Sequence, residues 1–176
     1  EADAIYEGKH IKAMPLEGAE KIVIEGESFE AFNTSGGCAT MCETYAGKVE
    51  NLSYKTIRYP GHLNHMKFLF NDLHLKKNKD VLEKLFDKEV PRTKNDLIIF
   101  FVKVIGMSEG ALQEKTYLRK IYGDEKFSAI QLTTASGVCS TLEMFLNGKI
   151  PQNGFVKQES LSWDNFIDNK FGQVYI

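Results

Sequence analysis

The chain has 176 residues, of which 43% are apolar, 26% charged and 11% aromatic, the profile of about one domain with a real core. Its 22 Lys and Arg against 24 Asp and Glu leave a net charge of −2, which excludes the broad basic field of a non-specific nucleic-acid binder. No apolar run approaches the ~18 residues of a membrane helix; the longest, Leu97 to Val102, is strand-sized. The opening Glu1-Ala2-Asp3-Ala4 has no signal-peptide layout. Three cysteines, an odd number, argue against a disulfide framework and for a reducing, cytoplasmic compartment.

The first thirty residues read as short strands. Ile5-Tyr6 and His10-Ile11 flank the turn Glu7-Gly8-Lys9, and Lys21 to Glu25 is a second apolar run ended by Gly26. Phe29 to Phe32 leads into the loop Asn33-Thr34-Ser35-Gly36-Gly37. Cys38, Ala39, Cys42, Tyr45 and Ala46 then recur at helical spacing, with Thr34 or Ser35 as N-cap and Gly47 as stop. Asn51 to Tyr59 reverts to strand character until Pro60-Gly61 breaks it. Leu63, Met66, Leu69, Phe70 and Leu73 form a helical stripe, and Val81, Leu82, Leu85 and Phe86 another that finishes before Pro91.

Leu97 to Ile105 is almost unbroken Ile, Phe and Val, as expected of a strand covered on both faces. Gly106 to Gly110 predicts a hairpin turn into a partner strand, Leu112 to Tyr122. Val138, Cys139, Leu142, Phe145 and Leu146 mark an amphipathic helix that stops at Asn147-Gly148. Gly154 to Glu159 reads as a short strand, and Ser162 can cap a last helix carrying Trp163, Phe166 and Ile167. Hairpins and grouped helices in this order predict an α+β fold, a mixed or antiparallel sheet with helices on one face. No repeat, low-complexity tract or linker divides the chain, so residues 1–176 read as a single domain.

Few residues carry chemistry by spacing alone. Cys38 and Cys42 lack the second ligand pair of a zinc site and read as small buried apolar groups. His62 and His65 open a helix without a carboxylate at ligand spacing, and His65 reads as a polar helix start. Arg58 ends a strand that Pro60-Gly61 turns into a helix N-terminus, where backbone donors and the helix dipole converge. Its planar fork suits a substrate carboxylate, or equally a neighbouring acid of the protein. The Asn33 to Gly37 loop has two hydroxyls and two glycines before a helix, yet it lacks the Lys-Ser/Thr ending of a P-loop. A capped helix start explains it without any ligand. Glu43, Tyr45 and Tyr59 are available for proton transfer or stacking, but no spacing demands it, and no Gly-x-Ser-x-Gly elbow supports a serine hydrolase.

Three segments together resemble one family. Phe29 to Gly37, Glu43 to Val49 and above all Tyr54 through His62 are similar to the substrate-side domain of the saccharopine dehydrogenase family. Within that family they are similar to the lysine 6-dehydrogenase-like members, and looser agreement extends over nearly the whole chain. The resemblance implies an NAD(P)-dependent oxidoreductase acting on the CH–NH bond of lysine, saccharopine or a related amino acid. It implies an α+β domain like the C-terminal domain of two-domain, glyceraldehyde-3-phosphate dehydrogenase-like enzymes, which covers the substrate and makes a homodimer. Carried over position by position, Arg58 grips the substrate carboxylate and His62 is the acid–base group, with an ordinary pKa near neutrality. Asn33, Thr34, Ser35, Gly36 and Gly37 line the wall facing the nicotinamide, with Tyr59 beside Arg58.

The family's Gly-x-Gly-x-x-Gly fingerprint is absent from the chain. The expectation is therefore an excised substrate-side domain, inactive alone, whose NAD or NADP is held by a Rossmann domain outside these residues; loss of cofactor binding is the alternative. Two other readings stand beside it: a non-catalytic dimerisation module, and a stand-alone domain that senses an amino acid. None of the three involves nucleic acid or a membrane.

Overall fold

The computed structural model describes residues 1–176. They gather into two compact units, Glu1–Pro91 and Arg92–Ile176. No Gly/Ser-rich composition marks the division, which follows Pro91.

In the N-terminal unit β1 (Ala2–Tyr6) pairs with β2 (Lys9–Ala13), and β3 (Glu20–Ile24) with β4 (Glu27–Phe32), both antiparallel. β5 (Thr56–Arg58) adds to the other side of β4, so β4 is the central strand of three. Phe29, Ala31 and Phe32 of β4 are buried, while Glu30 between them is partly open to solvent. Asn33 carries this order beyond the strand: its N–H donates to the Glu17 carbonyl at 2.9 Å, and its carbonyl accepts from the Leu16 N–H at 2.8 Å.

A small apolar cluster of Ile5, Cys38 and Cys42, flanked by Met41, Tyr45, Val49 and Leu52, packs helix α1 (Met41–Tyr45) near β1. The predicted helix over residues 38–46 is thus shorter than its spacing suggests, and Thr34 and Ser35 do not cap it. Gly36, Gly37 and Ala39 all have positive φ (85°, 111° and 44°), and no right-handed helix starts until those residues are passed. The strand expected from Asn51 to Tyr59 contracts to β5; upstream, Leu52 makes only a bridge to Ile5. α2 (His62–Lys67) runs on through a wide π-helical turn, Phe68–Asp72, and α3 (Lys79–Glu89) closes the unit.

The C-terminal unit is built on one long hairpin, β6 (Leu97–Ser108) with β7 (Ala111–Tyr122), turned at Glu109-Gly110. α4 (Ala129–Leu146) starts with a reciprocal capping box between Ser128 and Gln131. The Asp96 carboxylate also accepts from the Ala129 and Ile130 N–H groups, at 2.6 and 3.2 Å. α5 (Trp163–Ile167), capped by Ser162, and the C-terminal turn Gly172–Tyr175 complete the layer over one hairpin face. There Tyr117 meets Trp163 edge-on with ring centres 5.5 Å apart, and Phe100 meets Tyr175 at 5.6 Å.

Two expectations are corrected in this unit. Residues 154–159 form no strand; the segment is irregular and ends in a single 3₁₀ turn, Gln158–Ser160. The apolar run of β6 is not covered on both faces, because α4, α5 and the C-terminal turn pack on one face only. Cross-strand pairs share a face, and Phe101–Leu118, Ile105–Glu114 and Met107–Leu112 fall opposite to the packed Phe100 and Tyr117. Met107 is 69% exposed and Leu112 72%. The architecture is α+β with antiparallel pairing throughout. No helix is long and apolar enough to cross a membrane.

Candidate functional site

The sequence places chemistry at the end of β5, and the backbone there explains why. Arg58 is the last residue paired to β4, directly opposite Glu30. Tyr59 and Pro60 leave the sheet, Gly61 takes φ 95°, and α2 begins at His62. A side chain at position 61 would be strained in that conformation, so glycine sets the sharp entry. The turn is closed by the His62 N–H on the Tyr59 carbonyl at 3.2 Å, and buried Leu63 anchors the helix.

This brings Arg58 and His62 together on one exposed shelf, near enough for the arginine charge to act on the ring, whereas Tyr59 turns to Phe29, on the face of β4 opposite Glu30 and Phe32. The Arg58 guanidinium touches only its neighbour's carbonyl, Ile57, at 3.0 Å, and no acidic side chain pairs with it. Tyr59 lies outward with its ring centre 6.1 Å from that of Phe29. The His62 ring stacks on Phe32 at 6.2 Å with planes 18° apart. Contact with Phe32 withdraws part of the imidazole from water and lowers its pKa below the ordinary histidine value. The Arg58 charge lowers it further, against an opposing pull from Glu30. His62 is therefore held largely neutral at pH 7, able to accept a proton at one ring nitrogen and donate from the other.

The loop of residues 33–37 is placed differently. Asn33 is fastened to residues 16 and 17 and packs against Gly18. Gly37 lies under the Tyr54 ring, so closely that no Cβ fits there. Thr34 is half-buried, and Ser35, Gly36 and Gly37 are exposed. None of their side-chain or backbone bonds runs to Arg58 or His62; the link between loop and shelf is Phe32, which precedes Asn33 and carries His62 on its ring. The loop does not form a dinucleotide cradle. Its close backbone approach is already filled by Tyr54, and the helix after it has only five residues.

Spacing alone does not single out Glu30. On β4 it alternates with buried Phe29 and Ala31 and reads as an ordinary solvent-side residue. Its carboxylate instead accepts from the Gly61 N–H at 3.0 Å and the Leu63 N–H at 2.6 Å. Burial opposes its ionisation, but those two donors and the nearby histidines prevail and hold its pKa below the ordinary glutamate range. The signal that finds it is strand register, since only pairing β4 with β5 sets Glu30 beside Arg58.

Cys38 and Cys42 sit in the apolar cluster around Ile5, where burial, with Cys38 adjacent, pushes the Cys42 thiol up to about 11. Neither is a nucleophile at neutral pH. No group of three or more His, Cys, Asp and Glu side chains is placed to hold a metal ion.

A strand-end arginine without an acidic partner, beside a histidine at a helix start, has the chemistry to hold an anion and exchange a proton. Over residues 2–171 the chain matches the family model of the saccharopine dehydrogenase C-terminal domain, and it belongs to that family, a domain of oxidoreductases.

Proposed function

We propose that this chain is the substrate side of an NAD(P)-dependent dehydrogenase that oxidises the CH–NH bond of lysine, saccharopine or a related amino acid. Its relatives in this reading are the lysine 6-dehydrogenase-like members, and its compartment is the cytoplasm. The observation that carries the reading is Arg58, a fully charged fork at the end of β5 with no acidic partner. A carboxylate ligand would take two parallel N–H···O bonds from it, which fixes the amino acid relative to His62. In this reading His62, neutral and exposed, receives the proton that the amine gives up as its carbon is oxidised. On the same reading the nicotinamide cofactor belongs to a nucleotide-binding domain outside these 176 residues, which lack the Gly-x-Gly-x-x-Gly fingerprint.

The test is Arg58→Met in the natural full-length enzyme. Loss of a charge-assisted pair should lower kcat/KM by about 10- to 100-fold, mainly through KM. Unchanged kcat/KM for every amino-acid substrate would remove Arg58 from the site. Calorimetry of the isolated chain against lysine and saccharopine separates this reading from a stand-alone sensor. Binding without nucleotide favours the sensor; silence favours an enzyme whose pocket is completed by closure.

A second reading, that the domain also joins two copies, is favoured by the uncovered face of the β6–β7 hairpin. Ile105, Met107 and Leu112 are exposed on it, beside Lys103 and Glu114, whose charges lie 3.8 Å apart. A face that carries both signs within an apolar patch is complementary to itself, as a two-fold contact requires. Light scattering should give a dimer that Leu112→Glu dissociates.

A further inference from the structure

We propose that Glu30 is the positioning residue of this site: its carboxylate spans the Gly61 and Leu63 N–H groups and thereby fixes the turn that carries Arg58 and His62. The inference rests on the reading of Arg58 and His62 given above and adds a residue to it.

Three observations carry it. The two bonds, 3.0 and 2.6 Å, cross from the central strand of the sheet to a segment 31 and 33 residues away. Through them a side chain of the sheet ties down the turn from Tyr59 to Leu63. The same carboxylate, engaged with these amides, makes no ion pair with Arg58, whose guanidinium bonds to the Ile57 carbonyl instead. Glu30 and Arg58 are cross-strand partners, the arrangement in which opposite charges ordinarily pair, yet the guanidinium is left without an acid. One carboxylate thus both shapes the turn and leaves the arginine free for a ligand. Finally, Glu30 acts electrostatically on the histidine whose ring rests on Phe32, two residues along the same face of β4.

The groups facing His62 are Glu30 from β4, Arg58 from β5 and His65 on its own helix. Glu30 is the only acid among them, and its charge supports the imidazolium against the other two. Replacing it with glutamine keeps the shape and one acceptor but deletes the charge and one of the two backbone bonds.

The experiment compares wild type, Glu30→Gln and Glu30→Asp. In the isolated chain, NMR follows the His62 ring titration and the amide exchange of Gly61 and Leu63. In the full-length enzyme, kcat and KM are measured across pH. Glu30→Gln should move the His62 titration to lower pH, speed exchange at Gly61 and Leu63, and lower kcat/KM by about 10²-fold, the effect of misplacing a reacting group by about 1 Å. The same variant should carry the lower limb of the pH–rate profile with the His62 titration. Glu30→Asp keeps the charge on a shorter stem, so it should restore the titration but not both protected amides. It also provides the comparison if the glutamine variant does not fold. An unmoved titration with unmoved exchange in either variant overturns the proposal, as does full activity alongside altered exchange. If the titration and exchange move as expected while Arg58→Met keeps full activity, the clamp stands and the function assigned to the shelf is what fails.

Discussion

Gly37 is constrained twice, by its backbone conformation and by its neighbour. Its φ of 111° lies where side chains are rare, and the Tyr54 ring occupies the space a Cβ would need. Gly36 has φ 85° but nothing within 4 Å of its missing Cβ. Gly37→Ala should therefore cost strain and overlap together, about 2–4 kcal/mol, while Gly36→Ala costs only the strain, about 1 kcal/mol. Urea unfolding of the two variants checks this, and equal losses would show that Tyr54 moves aside freely. The pair of glycines is visible in the sequence as a loop that allows close backbone approach. What occupies that approach is not visible, because Tyr54 lies 17 positions along the chain. The sequence similarly offers Arg58 two partners, a ligand or an acid, and only strand register plus the bonds made by Glu30 leave the arginine without the acid.

Elements were legible where short-range turn chemistry sets them. All three hairpins turn on the same dipeptide, Glu7-Gly8, Glu25-Gly26 and Glu109-Gly110, with both residues at positive φ. That is the type I′ geometry matching the twist of paired strands, and glutamate is a poor residue for its first position. Asparagine tolerates the left-handed region better, so Glu109→Asn should stabilise the hairpin by about 0.5–1 kcal/mol. A rise in Tm of roughly 2–4 °C, read by circular dichroism, is the expected outcome; a fall would mean that Glu109 makes a compensating contact. The α4 ending at Asn147-Gly148 and the Ser162 cap of α5 were readable for the same local reason. Where spacing misled, a backbone feature intervened. Left-handed residues at 36, 37 and 39 delay α1, and residues 51–55 keep strand composition but pair with β1 only through the single Leu52–Ile5 bridge. The run at 154–159 likewise has strand residues but no neighbour.

At the scale of the molecule, the two units carry different features. The shelf of Arg58 and His62 lies wholly in the N-terminal unit, while the exposed apolar hairpin face lies in the C-terminal one. If that face joins two copies, amides of residues 103–108 and 111–116 should exchange quickly in dilute protein and slow as concentration rises. Exchange independent of concentration, alongside a monomer by light scattering, would retire the dimer. The sequence by itself determined the α+β class, the first and last hairpin turns, the end of α4 and the cap of α5, because each depends on residues within a few positions of one another. Only the tertiary structure decided that β4 lies between β3 and β5, that Glu30 bonds to the turn after β5, and that one face of β6–β7 stays bare. Those depend on pairings between distant positions, and a chain's composition does not encode which of its apolar faces finds a partner.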